Sequence, residues 1–143
     1  MSILNNAIES LALGIEDYNS TDHRRLLSCT RNIFSGILLL FKSKLVELSP
    51  PGSDEVLIKQ KVVPILDPTG ALQWKGSGKK TVDVQQIQDR FSGLGITVDW
   101  KRLDRINEYR NNIEHNFGSL SQDAVRELIA MGYYLDLSCP HGL

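Results

Sequence analysis

A long amphipathic segment that ends at two consecutive prolines constrains the fold more than any other feature of the chain. From about His23 to Leu48, apolar residues recur at steps of three and four, the period of an α-helix. They form one broad face that consists of Leu26, Leu27, Ile33, Phe34, Ile37, Leu38, Phe41 and Leu45. Pro50-Pro51-Gly52 cannot continue a helix, so the segment ends there. So broad an apolar face is typical of the central helix of a bundle.

Helical periodicity also marks other segments of the chain. They run from about 3 to 18, 84 to 91, 97 to 117 and 121 to 137. The apolar face of segment 3–18 consists of Ile3, Leu4, Ala7, Ile8, Leu11 and Ile15. The apolar face of segment 97–117 consists of Leu103, Ile106, Tyr109, Ile113 and Phe117. Thr97 or Asp99 is a suitable N-terminal cap for the helix predicted over 97–117. Together with the central helix, these segments predict four main helices and one short one.

A β-hairpin is expected between the second and third main helices. Apolar residues precede and follow the turn sequence Asp67-Pro68-Thr69-Gly70, in which proline and glycine occupy the positions that a type I turn favours. The hairpin is predicted from Lys61 to Lys75, within an insertion of about 53–81. The segment Gly76–Lys80 is predicted to be a flexible basic loop, and the sequence assigns the hairpin no role.

The predicted fold class is therefore mainly all-α, a bundle of four main helices with an inserted hairpin and a short helix between the second and third. At 143 residues the chain has the size of one domain, so a single domain over 1–143 is expected. The abrupt ending at Cys139-Pro140-His141-Gly142-Leu143 is also compatible with the N-terminal part of a longer protein.

Composition excludes several functional classes. Two cysteines, Cys29 and Cys139, give neither a disulfide framework nor a structural zinc site, and no metal or cofactor is expected. No apolar run is long enough to cross a bilayer and no signal peptide is evident, which favours a cytoplasmic protein without a membrane partner. The net charge of -1 means that any affinity for phosphate must come from a few placed side chains.

The helix from 97 to 117 carries an unusual polar strip beside its apolar face. On a helical wheel the strip contains Arg110, Glu114, Asn107, Asn111 and His115. Arg110 falls inside the apolar margin, where an unpaired guanidinium would cost several kcal/mol. It therefore needs a partner within the chain or in a second subunit.

The spacing of Arg110, Asn111 and His115 resembles the R-N-x-x-x-H motif of HEPN ribonucleases. The helical parts of the chain, about 1–48 and 97–137, are similar to the helical bundle of that family, whereas the hairpin has no counterpart in its minimal form. The resemblance implies a metal-independent endoribonuclease and a homodimer with a composite active site. It also implies a toxin or an effector of phage defence, with an antitoxin or regulatory protein as a further partner.

The residue types suit RNA cleavage. RNA supplies its own nucleophile in the 2′-hydroxyl, so a histidine such as His115 can move protons near neutral pH while Arg110 stabilises the phosphate. The expected product carries a 2′,3′-cyclic phosphate. Asn111 is expected to orient the histidine or the phosphate, with Glu114 and Asn107 in supporting roles. Because residues five apart on a helix point about 140° from each other, two chains are expected to complete the site.

Less specific interpretations stay open. Arg110 and His115 also fit a solvated helix face, and a HEPN fold is compatible with a catalytically inactive module that dimerises or binds RNA or protein. A third alternative is a helical scaffold domain. Arg31, in the middle of the central helix, either extends the phosphate site or forms an ion pair with a carboxylate such as Glu114.

Overall fold

The described part of the chain is mostly helical and contains one small antiparallel sheet. A computed structural model describes residues 2–115, apart from the side chains of Tyr109 and of residues 112–115. The elements are α1 (Ile3–Tyr18), α2 (Arg25–Leu48), a 3-10 turn (Val56–Ile58), β1 (Lys59–Leu66), β2 (Leu72–Thr81), α3 (Val84–Gly93) and α4 (Trp100–His115). Their order agrees with the sequence prediction. The last predicted helix, 121–137, lies outside the described residues. No described helix is both long enough and apolar enough to cross a membrane.

The chain divides into two compact units. The first comprises the chain up to Leu40 together with the segment that begins at Ile96, and the second is Phe41–Gly95. The boundary falls within α2, so this helix contributes buried side chains to both units. Ile33, Phe34 and Ile37 belong to the first, and Phe41 and Leu45 to the second.

In the first unit α1 and α2 approach each other closely. Gly36 of α2 lies against α1, because a Cβ at this position would stand 2.7 Å from the side chain of Leu11 and 3.2 Å from the carbonyl oxygen of Ala7. Ala7 is fully buried. The two helices therefore pack at a distance that leaves little room for a side chain at position 36. Ser2 begins α1, since its hydroxyl accepts a hydrogen bond from the backbone N–H of Asn5.

The apolar face predicted for α1 is only partly buried. Leu4, Ile8 and Ile15 are each about half exposed, at 46%, 52% and 48%. On a helical wheel these three residues form a stripe beside the buried face that contains Ala7. Periodicity identified the apolar residues correctly, but the buried face is narrower than the predicted one.

The core of the second unit joins α2 to α3. The rings of Phe41 and Phe91 meet edge to face, with 5.3 Å between their centroids, and Phe91 is fully buried. The guanidinium of Arg90 donates hydrogen bonds to the carbonyl oxygens of Val56 and Leu57. Asp83 begins α3 with a capping box that includes Gln86.

The hairpin forms around the predicted turn. Gly70 has a φ of 85°, and its N–H donates to the carbonyl oxygen of Asp67 at 2.9 Å. The Asp67 carboxylate also accepts hydrogen bonds from the hydroxyl of Thr69 at 2.6 Å and from the backbone N–H groups of Ala71 and Thr69, and these bonds lower its pKa. The turn is thus stabilised by its own side chain.

The prediction of a flexible loop over Gly76–Lys80 was wrong, because these residues belong to β2. The N–H of Gly76 donates to the carbonyl oxygen of Ser53 at 2.8 Å. A Cβ on Gly76 would lie 2.6 Å from the carbonyl oxygen of Asp54, so the close approach requires glycine. Lys75 and Asp54 add an ion pair of 3.2 Å. These contacts are non-local, and the local sequence gave no sign of them.

Replacing Gly76 with alanine tests this close approach. Gly76→Ala is expected to lower the free energy of unfolding by about 1 to 3 kcal/mol, because backbone rather than a mobile side chain must give way. Chemical denaturation followed by circular dichroism measures the change. Gly93→Ala is the matched control, since nothing lies within 4 Å of an added Cβ there. Equal stability of both variants and the wild type would contradict the interpretation.

Candidate functional site

Helix α4 carries most of the residues that the motif singles out. Its start is fixed by Asp99, whose carboxylate accepts from the N–H of Arg102 at 3.3 Å and pairs with the guanidinium of that residue at 3.1 Å. Leu103 and Ile106 are buried, as the predicted apolar face requires. The helix therefore has a defined orientation about its axis, and this places its polar strip.

Arg110 packs against an aromatic ring. Its guanidinium carbon lies 4.3 Å from the centroid of the Phe34 ring, and Phe34 is only 3% exposed. A cation at this distance is attracted by the ring, and the contact also desolvates one side of the guanidinium. Arg110 itself is partly buried. The sequence placed Arg110 in the apolar margin of α4, but it did not identify Phe34 as the partner.

Two polar atoms on this side of α4 have no hydrogen-bond partner among the described residues. They are Nε of Arg110 and Oδ1 of Asn107, and both are buried. Since residues three apart are neighbours on a helix surface, a donor and an acceptor lie unused on adjacent turns. A buried polar atom that has no partner at all costs about 1–3 kcal/mol. A ligand or a second subunit that offers matching groups would recover that free energy.

The structure describes the side chains of some of the remaining predicted residues and not those of others. Asn111 is exposed, so its amide is accessible. His115 is the last residue of α4, and its side chain and that of Glu114 lie outside the described part of the structure. Arg31 is exposed on α2.

A polar network that the sequence did not indicate joins α1 to α2. The carboxylate of Asp17 accepts hydrogen bonds from the hydroxyl of Ser28 and from the amide of Asn32, the latter at 3.2 Å. Arg25 lies 3.6 Å from the same carboxylate. The network explains why a polar residue occurs at Asn32 in an apolar segment. A visible signal was the spacing of Ser28 and Asn32, which places both on one face of α2.

Cys29 lies beside this network and is completely buried. Burial raises the pKa of its thiol to about 12, with a further contribution from the negative charge of Asp17. The thiol is therefore protonated at neutral pH. Such a cysteine is a packing residue and a poor nucleophile.

Comparisons of the chain with protein-family models, with curated proteins and with solved structures found no match. The functional argument consequently depends on the residues and geometry of this chain.

The buried thiol gives a direct test of the packing between α1 and α2. In a Cys139→Ser background at pH 8, alkylation of Cys29 in the folded chain is expected to be at least about a hundredfold slower than in denaturant, because the thiolate is scarce and shielded. Mass spectrometry measures the modified fraction over time. A folded chain that reacts as fast as the denatured one would show that the thiol is accessible.

Proposed function

We propose that the chain is a metal-independent endoribonuclease of the HEPN type. Its site would cleave RNA by attack of the 2′-hydroxyl on the adjacent phosphate, leaving a 2′,3′-cyclic phosphate. A role as a cytoplasmic toxin or phage-defence effector, controlled by an antitoxin or regulatory protein, extends the same proposal.

The observation that carries the proposal is the environment of Arg110. The guanidinium is held against Phe34 and keeps a buried Nε donor without a partner in the described chain. An arginine already positioned and partly desolvated binds a phosphate oxygen with little loss of side-chain freedom. It can also stabilise the charge that develops on the phosphate during cleavage.

The other motif residues take complementary roles in this mechanism. His115 would move protons between the 2′-hydroxyl, the leaving oxygen and solvent, since an imidazole changes charge near neutral pH. Asn111 is exposed next to Arg110 in the sequence and would orient the phosphate or the histidine. Asn107 would hold Arg110 or the substrate through its unused oxygen, and Glu114 would support the cleft.

A homodimer would complete the site. Arg110 and His115 are five residues apart on one helix and diverge by about 140°, so a two-fold axis offers a simple way to bring both types together. The half-exposed stripe of Leu4, Ile8 and Ile15 on α1 belongs to the same unit as α4 and provides apolar area for contact with a second chain.

Cleavage assays with single substitutions test the proposal. Wild-type protein in excess chelator is expected to cleave total or transfer RNA, whereas Arg110→Ala and His115→Ala are expected to lose at least about a hundredfold in rate. Arg110→Lys keeps the charge but loses the bidentate fork, so an intermediate rate is expected. End mapping should find cyclic phosphates, and a DNA strand of the same sequence should stay intact.

Matched controls separate the site from general charge effects. Arg24→Ala and His23→Ala remove an exposed arginine and an exposed histidine far from α4 in sequence, and both variants should cleave like the wild type. Wild-type protein that cleaves no RNA pool, or cleavage that survives Arg110→Ala, would refute the assignment. Folded but inactive wild-type protein would instead favour a binding module with the same surface.

Subunit mixing tests the composite site. If Arg110 of one chain acts with His115 of the other, a random mixture of Arg110→Ala and His115→Ala chains should recover about a quarter of wild-type activity, because half of the dimers are mixed and each of those has one intact site. Sedimentation should report a dimer in each sample. Activity that stays at zero in confirmed mixed dimers would indicate that each chain supplies both groups to its own site.

A further inference from the structure

The hairpin concentrates positive charge in a chain that is otherwise acidic. Residues 59–81 contain five of the 16 lysines and arginines of the chain, namely Lys59, Lys61, Lys75, Lys79 and Lys80, but only one of its 17 acidic residues. That acidic residue is Asp67, whose carboxylate accepts hydrogen bonds from backbone N–H groups of the turn. The net charge of -1 for the whole chain thus conceals a strongly basic element.

One face of the hairpin presents a cluster of exposed apolar side chains. Pro64 lies opposite Trp74, and Leu66 lies opposite Leu72. Because alternate residues of a strand share a face, these two neighbouring pairs lie on the same face. Trp74 is 54% exposed, Leu66 70% and Leu72 60%. An indole with this exposure on a strand can stack on a nucleobase.

A bulge redirects two of the lysines. On β1 only Gln60 separates Lys59 from Lys61, whereas on β2 three residues separate their partners Thr81 and Ser77. Gly78 has a φ of 80° within this irregularity, and Lys79 and Lys80 are both exposed. The bulge interrupts the alternation of side chains and so presents successive lysines to solvent.

We propose that this hairpin binds single-stranded RNA, with bases stacked on Trp74 and phosphates held by Lys79 and Lys80. An acidic protein partner would match the charge as well, but it would not require an exposed indole on the same hairpin as two exposed lysines. A strand of RNA supplies both complementary features along its whole length, since every nucleotide has one base and one phosphate. The proposal goes beyond the cleavage site on α4, because binding by the hairpin does not depend on catalysis.

Equilibrium binding by the full chain tests the proposal with a strand that cannot be cleaved. The probe is a fluorescently labelled single-stranded RNA of mixed sequence with 2′-O-methyl groups, titrated by anisotropy at several salt concentrations. Trp74→Ala is expected to weaken binding by about five- to hundredfold, and Trp74→Phe to restore most of the affinity. In a Trp100→Phe background, the emission of Trp74 should fall as RNA binds.

The contribution of the lysines is measured separately, through the salt dependence of binding. Lys79→Gln with Lys80→Gln should reduce the slope of log affinity against log salt by about 1.4, since each phosphate contact on a single strand contributes about 0.7. The matched control is Arg24→Gln with Lys101→Gln, which removes the same charge from exposed positions outside the hairpin and should leave the slope close to that of the wild type.

Three results would overturn the proposal. One is wild-type protein that binds no strand at low salt, and another is binding that leaves Trp74 emission and the lysine slope unchanged. The third is self-association that Trp74→Ala abolishes while RNA affinity stays constant, which would make the apolar face a protein contact. Failure of RNA cleavage alone leaves this test intact, because the methylated probe measures binding only.

Discussion

Burial of one face of α2 is the constraint on which the rest of the described structure depends. The buried stripe runs along nearly the whole helix, and its first part lies in one compact unit and its second part in the other. In the first unit it accommodates α1 through Gly36 and supplies the Phe34 ring under Arg110. In the second it holds α3 through Phe41. A single amphipathic helix thus provides the ring that contacts Arg110 in the first unit and the ring that packs against α3 in the second.

Local signals in the sequence were sufficient for most elements. The period of the apolar residues predicted α1, α2 and α4, and the turn sequence predicted the hairpin, because the apolar period of a helix and the residues of a tight turn are both local features of the chain. The same reasoning failed for the end of β2. Glycine, serine and lysine have low strand propensity, and these residues are in a strand because the backbone of Ser53 and Asp54 meets Gly76 from a distant position.

At the candidate site, too, local features could be predicted from the sequence and contacts between distant residues could not. A helical wheel placed Arg110 in the apolar margin of α4 and so predicted that it needs a partner, which is a local deduction. That the partner is Phe34, and that the Asn107 side-chain oxygen one turn earlier has no hydrogen-bond partner among the described residues, depends on how helices distant in sequence pack together. The network around Asp17 was missed for the same reason. Sequence reasoning therefore identified the candidate residues, and the structure added the environment of Arg110.

The two-stranded sheet also bears on how this protein behaves at high concentration. Within the described residues β1 pairs with β2 alone, so each strand has an outer edge, and an exposed edge beside apolar side chains is a template for intermolecular strand pairing. Pro64 cannot donate a hydrogen bond to an incoming strand, and the bulge near Lys79 breaks the regular spacing of such bonds. Repulsion between the lysines of two hairpins opposes the same association. The hairpin can therefore keep Leu66, Leu72 and Trp74 in solvent with a low tendency to aggregate.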